Sequence, residues 1–359
     1  MATNRIFYAV QAVGIQPDDN GIISWMHGMQ SVGITTNFNL EQIFELGQLA
    51  LYQNVENIAE IEVTTERVLD GWPTTYLTAA SSGSQSVVAA SNQKAGVYLI
   101  IYPDTNSSAT GVGFNGLVYC SGMRPSNVTY TFPVEGNSTE SVTFVGNQKQ
   151  WSDSSLFPVY DPTSWVGTGT YNNGVVYFPS GANATYSGIN ESYYDGPVNQ
   201  SGVVNALSGN LGTVFRRQHF DTAGSVIPAE VKNATNGVVS KIQTITVTAD
   251  IGRENIFELG RFLPYVKYAN FPVSVTCDFE VISTSGDRVS SSGQNYSLSD
   301  RAIDLKFDNG SRTFEIDLGS RNKLTSVNYT GGDTGGGNAT MTFSYQGFNA
   351  FKTITGVHS

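Results

Sequence analysis

An eleven-residue block occurs twice in this chain, and the pair constrains the fold more than any other feature. QIFELGQLALY runs from Gln42 to Tyr52 and NIFELGRFLPY from Asn255 to Tyr265, an offset of 213 positions. The match extends backward at the same offset. QSVGITTNFNLEQIFELG begins at Gln30 and QTITVTADIGRENIFELG at Gln243, with identity at Gln30/Gln243, Thr35/Thr248 and Glu41/Glu254. Forward, with one residue dropped, IEVTTERVLDG from Ile61 falls on VSVTCDFEVIS from Val273. Looser matches join the N-terminal stretch to the stretch from Gly212, and residues 126–144 to residues 322–343. One long-period repeat reads as a duplication, because solenoid units are shorter and more numerous.

The repeated halves are written in strands. Val273, Val275, Cys277, Phe279 and Val281 alternate with Ser274, Thr276, Asp278 and Glu280, the period of a half-buried strand. Ile61 and Val63 keep the apolar side in the first copy, and Glu62, Thr64 and Glu66 keep the polar one. Charged residues are 14% of the 359-residue chain, against a usual value of about 25%. Gly, Ser, Thr, Asn, Tyr and Val fill the difference, a palette for sheets and tight turns. The expectation is a mainly β protein with two duplicated β-sandwich or barrel-like domains, each with a short helix. The first spans 1–150, a Tyr/Gly/Asn-rich connecting segment of short strands and turns spans 151–210, and the second domain spans 211–359.

Within the repeated block, Leu40, Ile43, Phe44, Gly47 and Leu51 share one helical face. Gly47, and Pro264 in the second copy, oppose a long helix. The spacing predicts a short helix ending near the glycine and then a turn, with a strand as the alternative. Gly47 and Gly260 are expected to be needed for folding, since each permits a turn or a close backbone approach.

No motif of catalysis survives inspection. The three histidines, His27, His219 and His358, have no metal-ligand spacing. Gly111, Gly113 and Gly116 spell GxGxxG, but the strand-like LVYCSG follows where a dinucleotide site needs a helix. GGDTGGGN from Gly331 to Asn338 lacks the lysine of a phosphate loop and reads as a hairpin tip. Asp104, Asp300, Asp304 and Asp308 have no EF-hand spacing. Neither a cofactor nor a metal is expected. Cys120 and Cys277 are too few for a disulfide framework.

A net charge of −11 opposes phosphate-neutralising nucleic-acid binding. MATNRIFYAV lacks the charged start and long apolar core of a signal peptide, and no apolar run reaches the roughly 18 residues of a membrane span. Synthesis and use in the cytoplasm of the producing cell are expected. The sequons at Asn127, Asn137, Asn183, Asn309 and Asn338 then follow from composition alone.

NRIFYAVQAVGI at the start, IFELG with YQNVENIAEIEVTTERVLDG, and DLGSRNKLTSVNYTGGDTGGGNATMTFSYQGFN at the end resemble virion structural proteins of tailed bacteriophages, most of all the tail tube (major tail) proteins. The resemblance covers both halves and not the middle. It implies β-sandwich or barrel-like cores that form six-membered rings, with sheet edges joined into a lumen wall and rings stacked. A chain with two cores makes such a ring as a pseudo-hexameric trimer. The implied partners are further copies of the chain and other tail proteins in the virion. DNA passes through without sequence-specific binding, and no membrane is involved. Assembly contacts are then expected at Ile43, Phe44, Gly47, Ile256, Phe257, Gly260, Gly331 and Gly336, with the hairpin 322–345 as an arm or a lumen strand pair. Glu62, Glu66, Asp278 and Glu280 are expected to face the lumen and repel DNA.

Two other readings stand beside this one. A head decoration, neck or tail-terminator protein forms trimers that do not stack. A carbohydrate-binding β-sandwich uses Tyr160, Trp165, Tyr171, Tyr193 and Tyr194 to hold sugars. An enzyme is the least supported class, for want of an acid, base or nucleophile constellation.

Overall fold

A computed structural model describes residues 11–17, 24–26, 28–80, 84–89, 93–101, 116–152, 156–159, 174–177, 213–234, 241–284, 299–332 and 337–357. The first half forms β1 (Gln11–Pro17), β2 (Ser24–Trp25), β3 (Met29–Asn37), β4 (Leu40–Phe44), β5 (Leu51–Glu56), β6 (Glu60–Val68), helix α1 (Thr75–Ala79), β7 (Ser84–Ser86), β8 (Ala95–Ile101), β9 (Gly116–Pro133), β10 (Thr139–Gly146) and β11 (Gln148–Ser152). In the middle segment, β12 (Leu156–Val159) pairs with β13 (Gly174–Tyr177). The second half forms a 3-10 turn at Arg217–His219, helix α2 (Ala229–Ala234), β14 (Ile242–Asp250), β15 (Arg253–Ile256), β16 (Val266–Ala269), β17 (Ser274–Ile282), β18 (Asp304–Asp308), β19 (Arg312–Asp317), β20 (Lys323–Thr330), β21 (Thr340–Phe348) and β22 (Lys352–Val357). The protein is mainly β, as its palette predicts.

Alternation builds the main sheet. Its strands run β3-β6-β10-β9-β14-β17-β21-β20, each antiparallel to the next. On one face Val63, Phe144, Tyr130, Val247, Phe279 and Phe343 are buried. Side chains of this size stabilise by about 1.5–3 kcal/mol each when fully removed from water. A second layer, β18-β19-β22-β7, lies across that face. The rings of Phe132 and Phe307 stack with centroids 4.1 Å apart, and Tyr130 meets Phe314 at 5.3 Å. The first, N-terminal part of β9 leaves the main sheet and pairs with β8 and β11, while β1 and β2 extend this second sheet beyond β8.

The halves share one core. β7 comes from the first half and pairs with β22 of the second. Its approach is set by α1, whose five residues are all buried and whose Tyr76 lies 5.9 Å from Phe351. Thr75 and Tyr76 donate their backbone N–H groups to the Glu140 carboxylate at 2.6 and 3.2 Å, and the Tyr130 hydroxyl donates to it at 2.9 Å. Beside this group the buried Arg67–Asp70 pair closes at 2.9 Å.

The repeated block is not helical. Leu40–Phe44 and Leu51–Glu56 form one β-hairpin, and Arg253–Ile256 and Val266–Ala269 form another. The expected helical stripe of Leu40, Ile43, Phe44 and Leu51 has no core beneath it, so nothing favours a helix there. The strand alternative holds. Among the described residues the helices stand at 75–79 and 229–234 instead.

Candidate assembly edges and hairpins

Strand registers show how closely the two halves correspond. Asn37 faces Glu60 in the first and Asp250 faces Ser274 in the second. The hairpins that follow have equal length, closing at Leu40↔Glu56 and Arg253↔Ala269. Gly47 and Gly260 occupy the same turn position with φ of 88° and 86°, where glycine alone is unstrained. Gln30 and Gln243, identical in sequence, each fall at a bulge and donate Nε2 to the carbonyl two residues back, Gly28 and Lys241, at 3.2 and 3.3 Å. Later bulges also match. Ser126 Oγ donates to the Thr143 carbonyl at 3.2 Å, and Thr325 Oγ1 donates to that of Ser344 at 2.9 Å.

These registers correct one alignment. Sequence comparison drops one residue and sets Ile61 on Val273, whereas pairing adds one and sets Ile61 on Val275. The added residue lies in Phe271–Val273, between the second hairpin and β17. A slip of two residues leaves every side chain on its expected face, so period alone does not reveal it. Structurally, Glu66 corresponds to Glu280 and Thr64 to Asp278.

In each half the order is therefore the same: β3-β6-β10-β9 in the first, β14-β17-β21-β20 in the second. The halves meet where β9 pairs with β14, with Thr131 opposite Thr246, Thr129 opposite Thr248 and Asn127 opposite Asp250. Among the described residues, β3 and β20 end the sheet with no strand on their outer sides. Their side chains are exposed or half-buried throughout.

The uncovered face of the main sheet is polar and carries more acids than cations. Glu62, Glu66, Asp278 and Glu280 all stand on it, among Thr64, Thr129, Thr143, Thr246, Thr248 and Ser344. The positive side chains of these eight strands on that face are Lys323 at the edge, held 2.8 Å from Asp300, and Arg124 of β9, opposite Val145 and in line with Glu62. At the hairpin end of the face, Asn37, Glu60, Glu62, Arg253 and Lys267 line a cleft of about 190 Å³. Burial lowers Lys267 to about 8 against the pull of Glu60, and burial lowers Arg253 to about 10. Arg253 Nε donates to the Pro125 carbonyl at 2.9 Å, which ties the second hairpin to the first half.

Both hairpins expose apolar side chains. Phe44, Leu46 and Leu49 in the first, and Phe257, Leu259 and Phe262 in the second, face solvent; Leu46 is 103% exposed and Leu259 104%. Of the residues expected at contacts, Ile43, Phe44, Gly47, Ile256, Phe257 and Gly260 are thus gathered on the hairpins. Gly331 follows the exposed end of β20, and Gly336 lies outside the described residues. The segment 322–345 is not a detached arm: β20 and β21 belong to the main sheet, and Phe343 and Tyr345 are buried in the core. The sequence reading missed the two outer edges, β3 and β20. Their signal was present as the loose match of 126–144 to 322–343, which pairs the seam strand β9 with the edge strand β20.

Among the described residues no group of three or more His, Cys, Asp and Glu is placed to hold a metal ion. Asp304 pairs with Lys306, and His219 Nδ1 accepts from the Arg216 backbone at 3.1 Å. Cys120 and Cys277 are buried and unbridged. The sugar-stacking aromatics Tyr160, Trp165, Tyr171, Tyr193 and Tyr194, with His27, His358, Asp104, Gly111 and Gly113, lie outside the described residues. No helix among the described residues is long and apolar enough to cross a membrane.

No family model matches the chain, and no curated protein matches it. Solved structures that it resembles include a chain of the anti-feeding prophage baseplate, 6-fold symmetrised, at 12% identity and a TM-score of 0.32 over 42% of this chain and 97% of that one. A chain of the sheath-tube complex of an extracellular contractile injection system in its extended state matches at 9% identity and a TM-score of 0.32, over 43% of this chain and 95% of that one. A chain of the anti-feeding prophage tube-terminating cap matches at 10% identity and a TM-score of 0.31, over 43% and 95%.

Proposed function

We propose that the chain is a tail-tube subunit of a virion. Two tandem units, 1–150 and 211–359, are joined by 151–210, and three copies close head to tail into a ring of six units. One observation carries this reading. The outer strands β20 and β3 are the counterparts of β9 and β14, the strands that already join within the chain. An outer edge of this kind is a template for another strand. Pairing β20 of one copy with β3 of the next repeats the internal seam, and ring closure removes every edge. The internal register translates to Ser326 opposite Asn37, Asn328 opposite Thr35 and Thr330 opposite Gly33.

The polar face then lines the channel. A barrel of this many strands holds a water-filled lumen rather than a packed interior. Glu62, Glu66, Asp278 and Glu280 repel the phosphates of passing DNA and keep it from adhering to the wall. The function is mechanical, with no catalytic step. Other tail proteins are the partners at the tube ends.

Sedimentation and electron microscopy of the purified chain test this reading. Trimeric rings that stack into hollow tubes of uniform bore are expected. Trimers that never stack favour a decoration, neck or terminator role, and a monomer at high concentration overturns ring formation altogether.

A further inference from the structure

Both hairpins leave the same end of the main sheet, since each joins the strand ending at Asn37 or Asp250 to its neighbour beginning at Glu60 or Ser274. At the opposite end of the seam, about 20 Å along β14 by strand rise, lies an apolar groove. Phe132, Pro133, Phe220, Ile242 and Phe307 line it, its volume is about 390 Å³, and Arg216 and Arg217 stand at its rim. Both arginines are exposed, and neither has a carboxylate partner among the described residues. The hairpin tips have the complementary chemistry. Each presents an acid beside a fully exposed leucine and a largely exposed phenylalanine: Glu45 with Leu46 and Phe44, Glu258 with Leu259 and Phe257. In the second tip Arg261 Nη1 holds Glu258 at 3.2 Å. Gln48 takes that position in the first tip, and residues 38–58 carry Glu41, Glu45 and Glu56 with no lysine or arginine.

We propose that the IFELG tips of one ring dock in the arginine-rimmed grooves of the next ring, with a second copy of this chain as the occupant. This rests on the tube reading and names the surfaces that stack. The tip places Phe44 and Leu46 in the groove and Glu45 against Arg216 and Arg217. Tip and groove are different surfaces at opposite ends, so the contact is head-to-tail. Along the tube axis such a contact does not close, and it propagates without limit. The groove lies at the internal seam, so a ring of three copies carries three of them; at β20 the counterparts of Phe132 and Pro133 are Gly331 and Gly332.

Replacement of Leu46 and Leu259 by Asp tests the apolar part, and their full exposure keeps the fold out of the result. Rings are expected to persist while mean tube length falls at least tenfold; tubes of unchanged length overturn the proposal. Arg216→Glu with Arg217→Glu is expected to shorten tubes likewise, and added Glu45→Arg and Glu258→Arg to restore at least half the length. Failure of that restoration, with rings intact, overturns the ionic part. A cysteine pair separates this contact from ring formation. Leu46→Cys with Thr222→Cys, at a residue that also lines the groove, is expected to give an interchain disulfide ladder on oxidation, even where β3 or β20 variants prevent rings. Absence of any ladder in a chain that still forms rings overturns docking while sparing the ring.

Discussion

The hydroxyls of Thr129 and Thr248 stand 3.2 Å apart across the one seam that joins the two halves of the sheet. Thr248 is identical in the sequence repeat to Thr35 on the outer edge β3, and the counterpart of Thr129 is Asn328 on the outer edge β20. In the proposed ring, the internal seam is the template for the joint between copies.

That template predicts a register to the residue. Asn328→Cys with Thr35→Cys places two Cα atoms opposite each other at about 4.5–5.5 Å, within the reach of a disulfide. Oxidation of assembled protein is expected to yield covalent trimers in denaturing gels. The pair Asn328→Cys with Thr36→Cys, one residue out of register, is expected to yield at least tenfold less. Equal yields rule out the translated seam. Native thiols do not compete, because burial pushes Cys120 up to about 12 and Cys277 well above its ordinary value. Both are expected to resist thiol reagents until the chain unfolds.

Gly47→Val acts on the hairpin rather than the core. A valine at φ 88° is strained by about 1–2 kcal/mol. No heavy atom lies within 4 Å of the added Cβ, so no clash reaches the sheet. This moves the damage expected from the sequence away from folding. The melting temperature is expected to hold while tube length falls, and a large drop in melting temperature contradicts the assignment.

Glu140→Ala is expected to destabilise the chain by about 3 kcal/mol, because it orphans two backbone N–H groups of α1 and the Tyr130 hydroxyl in a buried site. Glu140→Gln retains an acceptor and costs less. Chemical denaturation of the two variants measures the difference, and equal costs remove the acceptor argument.

Lys267 sets a pH dependence. Burial holds it at about 8 in the folded chain against an ordinary 10.5. Between those values the unfolded chain binds more protons, so this residue makes stability rise with pH across that window. Below pH 8 the cost of the buried charge is fully present. Lys267→Met is therefore expected to exceed the parent in stability at pH 7, with the gap closing toward pH 10.5. A gap independent of pH assigns the effect to packing instead.

Much of the sheet is legible in the sequence because burial on one face imposes a period of two. The acids at Glu62, Glu66, Asp278 and Glu280 fall where alternation puts them, even though the offset between β6 and β17 differs by two residues from the sequence alignment. The IFELG hairpins were misread because helical spacing implies a helix only when a core receives the stripe, and Leu46 and Leu259 meet solvent instead. The crossing of β7 to β22 was invisible: SQS carries no pattern, and its place follows from Tyr76 and Glu140, which act over long sequence separations. The groove at Arg216 and Phe220 is likewise assembled from four distant segments.

The passage of β7 into the sheet of the other half would make alternate joints of the proposed ring unequal. Three would be stitched by continuous polypeptide and a borrowed strand, and three would rely on reversible contact alone. A tube built this way would part between molecules under load and leave each molecule whole.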